Sequence, residues 1–176
     1  QVTEIEPVAY FKRELPPGES WARPLPFSYP RERVVSLGEA PRVPRFVYSA
    51  HQWDWCGKSS LRSRLRDALG LLSHQYDGSI PQARVSVTEN HELNQASLLA
   101  VSPSGRGSLC NRHLEAIADG CCVVMEWPTV QWPDAPRDSI ECRYFRNEFE
   151  AVEIIEELLT CPDKAHAMAL AGQALL

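Results

Sequence analysis

Residues 97–128 read SLLAVSPSGRGSLCNRHLEAIADGCCVVMEWP. An apolar run at 98–101 leads into a Ser/Gly loop at 102–108. Helical signals begin near Asn111 and end at Gly120, and a second apolar run covers 121–125. Two fully apolar runs joined by an amphipathic crossover predict a β-loop-α-β unit with buried parallel strands. The Ser/Gly loop then falls at the carboxyl edge of the sheet, where open α/β folds bind ligands.

The residues of that loop suit an anion. Gly105 and Gly107 let the backbone approach closely, and the helix that follows begins with N–H groups and a partial positive charge. Arg106 and Arg112 supply charge-assisted donors for phosphate oxygens, and Glu115, one turn into the helix, is a carboxylate that accepts from a diol such as a ribose. Together they fit a nucleoside diphosphate. A plainer reading stands beside it: Gly-x-Gly makes a turn, the arginines are solvated, and Glu115 complements the helix dipole. The motif lacks the third glycine of the dinucleotide fingerprint, and there is no Gly-Lys-Ser/Thr of a P-loop. No Gly-x-Gly-x-x-Gly follows the first strand near Ser49, which disfavours a dehydrogenase or epimerase.

Outward from this unit, 176 residues that are 44% hydrophobic fit one globular domain with a sizeable core. The net charge of −5 argues against a nucleic-acid surface, which needs basic stripes to displace counterions. Cysteines at 56, 110, 121, 122, 142 and 161 form no Cys-x-x-Cys pair and no metal spacing. They predict free thiols in a reducing, cytoplasmic compartment and no metal site. No apolar run reaches membrane-spanning length.

Taken in order, residues 1–44 hold one short strand candidate at 8–11 and a Pro-rich segment with prolines at 16, 17, 24, 26, 30, 41 and 44, an extended linker with Val34 and Val35 as a possible edge strand. Residues 45–50 predict the first core strand, and 51–57 a loop at the ligand edge whose Trp53 and Trp55 staple it to the core or stack on a sugar. A helix follows at 58–74, capped by Ser59 or Ser60, with Leu61, Leu65, Ala68, Leu69 and Leu72 on its apolar stripe. Arg62 sits in its first turn near the ligand edge, while Arg64 and Arg66 read as solvated. Residues 76–81 predict a turn, 84–88 a strand with Val85 and Val87 inward, and 90–96 a short helix in which His91 is a hydrogen-bonded surface group. Trp127 and Trp132 frame the loop at 129–139. The last strand is expected at 140–145, and helices at 148–160, with Val152, Ile155 and Leu159 inward, and at 163–175.

The motif Ser-Pro-Ser-Gly-Arg-Gly at 102–107, then Asn111-Arg112-His113-Leu114-Glu115-Ala116 through Gly120 and the apolar strand, resembles the donor-binding half of GT-B glycosyltransferases of the exostosin-like and family-1-like groups. Those carry P-x-G, a short gap, R-x-x-E-A-x-x-x-G and a strand in this order. Residues 10–14 and 24–27 resemble the strand and linker between the two lobes, and the helical tail resembles their closing helices. The resemblance implies a Rossmann-like parallel sheet flanked by helices, a single GT-B C-terminal-type lobe at 45–176 preceded by an interlobe strand and Pro-rich linker at 1–44. It implies a nucleotide-sugar donor bound by Ser104, Gly105, Arg106, Gly107, Asn111, Arg112 and Glu115, with His51 and Arg62 from the preceding loop and helix. The sugar would pass to an acceptor hydroxyl with no metal and no cofactor beyond the donor, and with the general base on the other lobe, so no catalytic residue is assigned. Because 176 residues are too few for two lobes, an acceptor-binding lobe or partner subunit is expected. The competing reading is a non-catalytic Rossmann-like nucleotide-binding or protein-interaction module, in which salt bridges fill the cleft.

Overall fold

The computed structural model describes residues 11–12, 15–20, 22–24, 29–50, 60–105 and 107–176. Strands β1 (Phe11–Lys12) and β2 (Arg23–Pro24) form a small parallel pair of their own. The main sheet is built from β3 (Arg45–Val47), β4 (Asp77–Ser79), β5 (Leu99–Ser102), β6 (Cys122–Glu126) and β7 (Arg143–Phe145). Its order is β4-β3-β5-β6-β7, and every neighbouring pair is parallel. The helices are α1 (Leu61–Leu72), α2 (Val87–Gln95), α3 (Asn111–Ala118), α4 (Glu148–Thr160) and α5 (Pro162–Gln173). Among the described residues no helix is long and apolar enough to cross a membrane.

Both faces of the sheet are buried, so the central strands are apolar throughout. Phe46, Leu99, Val101, Cys122, Val124 and Phe145 pack toward α1, α4 and α5, meeting Leu65, Leu69, Ile155 and Leu158. The alternate residues Val47, Ala100, Val123 and Met125 face the other way, onto Leu114 and Ile117 of α3 and Leu93 of α2. Each fully buried Leu, Ile or Phe in these layers contributes about 1.5–3 kcal/mol. The linker closes the second layer at the amino edge. Val35 N–H donates to Ala118 O at 2.8 Å, and Arg42 donates to Asp119 O at 2.7 Å and Asn94 O at 3.1 Å. Gly120, at φ 84°, ends α3 in the left-handed region that favours glycine.

Several local expectations are corrected. Residues 76–81 are not merely a turn, because 77–79 form the edge strand β4. That strand has no apolar side chain, and its middle residue has to be glycine, since a Cβ on Gly78 would lie 2.3 Å from the buried Phe46 ring. Residues 84–88 are not a strand. Ser86 and Glu89 form a reciprocal capping box that starts α2, and Val87 is left 68% exposed. Val34 and Val35 join no strand, and a short 3-10 turn at Arg31–Arg33 precedes them. Arg66 is not simply solvated: it donates to Pro81 O at 3.0 Å and Ala50 O at 3.2 Å, with its guanidinium over Tyr48. Arg64 pairs with Glu148 at 2.8 Å. The buried stripe of α4 is Ala151, Ile154, Ile155, Leu158 and Leu159, so Val152 is turned partly outward. His91 does hydrogen-bond, to the buried carboxylate of Asp119 at 2.7 Å. Of the strand candidate at 8–11 only Phe11, in β1, is described, and residues 8–10, Trp53 and Trp55 lie outside the described residues.

Candidate functional site

Strand order reverses between β3 and β5: the chain leaves β3 for β4 on one side, then crosses back to β5 on the other. At such a switch point the connections at the carboxyl ends of the two strands diverge and leave a crevice. The loop at 103–110, carrying the Ser/Gly motif, leaves β5 at this place.

A chain of hydrogen bonds holds that loop. Arg112 Nε donates to Ser102 Oγ at 3.2 Å, and the Ser102 hydroxyl in turn donates to His113 Nδ1 at 2.8 Å. His113 Nε2 donates to Ser108 O at 3.3 Å, and Ser108 Oγ accepts from Thr129 N–H at 2.8 Å. His113 is 2% exposed, and burial, helped by the Arg112 charge beside it, pushes its pKa down to about 4. The ring is therefore neutral at pH 7, with one donor and one acceptor, which matches its two partners. The other side of the loop is gripped through its backbone. Arg62 Nε donates to Ser104 O at 2.9 Å, Arg112 Nη2 to Pro103 O at 2.6 Å, and Ser104 N–H to Glu126 Oε2 at 2.8 Å. Gly105 N–H closes the turn onto Gly107 O at 2.8 Å, and a Cβ on Gly105 would crowd Cys110 Cβ at 3.2 Å.

The loop delivers the chain to the start of α3, whose N-cap is Cys110. Its backbone is extended, as an N-cap requires, but its side chain makes no capping hydrogen bond. Helices α1, α2 and α4 are capped by Ser60, Ser86 and Asn147. The first turn of α3 thus keeps its N–H groups clear of any side-chain cap, beside the Arg112 guanidinium.

A cleft of about 300 Å³ opens here, at the small end of the range of about 300–1,000 Å³ usual for ligand pockets. Of the residues expected to bind donor, Arg62, Gly105, Arg112 and Glu115 share its wall. Ser104, Gly107 and Asn111 are not part of that wall, and Asn111 is exposed at the head of α3. His51 and Arg106 lie outside the described residues. Ser49, beyond β3, reaches the same cleft. The facing side comes from the start of α2, with Arg84, Ser86 and Asn90. These were missed in the sequence because 84–88 looked like a strand; the signal was the Ser86-x-x-Glu89 capping box, which begins a helix, and a helix after a parallel strand begins at the carboxyl edge. Arg84 and Arg112 enter no ion pair among the described residues, so their charges act on whatever occupies the cleft. Salt bridges of Arg112 and Glu115 do not fill it. Nor do any three His, Cys, Asp or Glu side chains cluster as a metal site among the described residues.

The fold defines a doubly wound α/β lobe with an open cleft at its switch point. Residues 34–176 match the model of the family described as glycosyl transferase-like, and the chain belongs to that family. Among solved structures it is similar to TarM, with a TM-score of 0.56 and 8% identity over 81% of this chain and 33% of TarM. It is also similar to Alr3699/HepE of Anabaena, solved in complex with UDP, with a TM-score of 0.52 and 15% identity over 77% of this chain and 44% of that one. At these identities the likeness shows the fold alone, a Rossmann-like parallel α/β lobe. The chain spans between a third and less than half of their lengths. No curated protein matches the sequence.

Proposed function

We propose that this chain is the donor-binding lobe of a glycosyltransferase and holds a nucleoside-diphosphate sugar in the cleft between β3 and β5. The observation that carries the reading is the meeting, in one open cleft, of Gly105, the start of α3 with no side-chain cap, Arg112, which the loop holds by hydrogen bonds but no carboxylate among the described residues neutralises, and the Glu115 carboxylate. The diphosphate lies against the first turn of α3 and the Arg112 guanidinium; Arg106 and His51, outside the described residues, are assigned to the same donor on the sequence motif alone. Glu115 accepts from the ribose hydroxyls. The supporting precedent is the UDP complex of the Anabaena neighbour.

In the transfer, an acceptor hydroxyl attacks the anomeric carbon, the glycosidic bond to the diphosphate breaks, and the leaving oxygen gains negative charge. Donors fixed before the reaction stabilise that charge without reorganising. Here the fixing comes from the Ser102–His113–Ser108 chain and the grip on Pro103 and Ser104. The donor is the substrate, and no further cofactor is assigned. The acceptor comes from a second lobe or a partner subunit, as the share of the neighbours' length suggests. The exostosin-like group is the subgroup we favour, and a cytoplasmic setting fits the free thiols of Cys110, Cys121, Cys122, Cys142 and Cys161.

A thermal-shift series with UDP, GDP and ADP tests the reading. A ligand that binds only the folded chain at a hundred times its Kd adds about 2.7 kcal/mol of stability. A rise in Tm selective for one base is expected. Equal absence of any shift at millimolar concentrations of all three would overturn donor binding by this chain.

A further inference from the structure

Away from the cleft, α1 and α4 leave a second depression of about 470 Å³ between them. Its floor is apolar, from Ala68, Leu72 and Val152. Leu71 and Phe149 stand at its rim, 75% and 74% exposed. They are the two most exposed large hydrophobic side chains among the described residues. Nothing in the folding of this lobe requires them there, since the inward stripes of α1 and α4 are complete without them. Paired, exposed apolar side chains over an apolar floor mark a contact surface.

The charge around the depression selects what fits it. The ionisable residues on its wall are Glu153 and Glu156, and no basic side chain lines it. Arg64, one turn before Ala68 on α1, is engaged by Glu148, and Arg66 is turned away to Pro81 O and Ala50 O. A second copy of this chain, with a net charge of −5 and the same acidic rim, would bring like charges together. An anionic membrane surface is disfavoured for the same reason. A parallel helix pair with an apolar trough instead suits a third helix whose apolar face fills it.

We infer that the α1–α4 groove docks an amphipathic helix of a protein partner, with its apolar stripe on Leu71, Leu72, Val152 and Phe149 and lysine or arginine flanks on Glu153 and Glu156. The inference is independent of donor binding at the cleft.

The probe is a synthetic helical peptide with leucine at i, i+3, i+4 and i+7 and lysine on both flanks, followed by fluorescence anisotropy against the chain. A control peptide carries glutamate in place of lysine. The lysine peptide should bind saturably and the glutamate peptide should not. Leu71→Ser with Phe149→Ser, and separately Glu153→Lys with Glu156→Lys, should each weaken binding at least about tenfold, which is about 1.4 kcal/mol. Both pairs of positions lie on the solvent side, so an unchanged Tm is expected and confirms folding. Failure of the lysine peptide to bind, or wild-type affinity in both double variants, would overturn the inference by showing no site or a site elsewhere. A wild-type dimer in sedimentation that Leu71→Ser with Phe149→Ser dissolves would overturn it in favour of a second copy.

Discussion

Two helix starts border the same cleft, and they are finished differently. At α2, Ser86 Oγ accepts from Glu89 N–H at 3.2 Å while Glu89 Oε2 accepts from Ser86 N–H at 2.7 Å. The cap consumes two donors and sets a carboxylate over the positive end of the dipole. At α3 the N-cap is a cysteine with no capping bond, and the charged neighbour is the cation Arg112. Both helices point their amino ends toward the crevice, because each follows a parallel strand or its connection. The difference lies in whether a side chain closes the end. A self-capped end contributes stability and fixes a wall, and an end without a side-chain cap forgoes that stability.

The comparison breaks most directly at Arg112. Arg112→Ala should lower affinity for whichever nucleoside diphosphate raises Tm by about 1.5–3 kcal/mol, the usual loss for a hydrogen bond to a charged group. Calorimetric titration measures it, and unchanged affinity would remove Arg112 from the site. His113 provides a pH test of the scaffold under α3. Its folded pKa is lowered from 6.5 to about 4, so on falling pH the unfolded chain takes up a proton that the native state refuses. The stability it supports is complete above pH 6.5 and is lost on falling toward about 4, with a slope of up to about 1.4 kcal/mol per pH unit. Urea denaturation across that window should show the slope in the wild type and a flatter profile in His113→Gln.

How far the sequence reached can be seen from the same two helices. The unit around α3 was legible because two all-apolar strands, a Gly stop and a Ser/Gly loop agree with one another, and the helix bounds fell within a residue or two of those observed. Glu115, Arg112, Gly105 and Arg62 were found together because all follow a strand end or open a helix. The wall from α2 was not, since Arg84-Val85-Ser86-Val87-Thr88 alternates like a strand and only the Ser86–Glu89 pairing decides otherwise. Edge strand β4 was hidden for a different reason. Asp77-Gly78-Ser79 has no apolar pattern, and its place depends on a ring that arrives from Phe46, 32 residues earlier. Buried hubs such as Asp119, which accepts from Asn94 at 2.8 Å and holds His91, are likewise products of tertiary packing that no local signal announces.

At α2 the capping box should behave as structure alone. Ser86→Ala removes a side-chain acceptor from N3 and unseats Glu89, and a loss of about 1–2 kcal/mol in unfolding free energy is expected. Affinity for the nucleoside diphosphate should stay within error, because Ser86 contributes a wall and not an anion contact. A large fall in affinity without a matching fall in stability would place the phosphates at α2 and reverse the comparison.

The sharpest separation comes from closing α3 in the way α2 is closed. Cys110 already has the extended backbone of an N-cap, at φ −141° and ψ 152°, so Cys110→Asp needs no backbone change to aim a carboxylate at the first-turn N–H groups. That carboxylate also complements the dipole. It should raise stability by about 0.5–1 kcal/mol in denaturant unfolding. The same oxygen then occupies the place argued for the diphosphate and repels it, so affinity should fall while stability rises. The opposite signs are the point of the experiment, because a substitution that merely disturbs the loop lowers both. If stability rises and affinity holds, the start of α3 is a bare helix end and the anion site lies on the Arg84 side of the cleft.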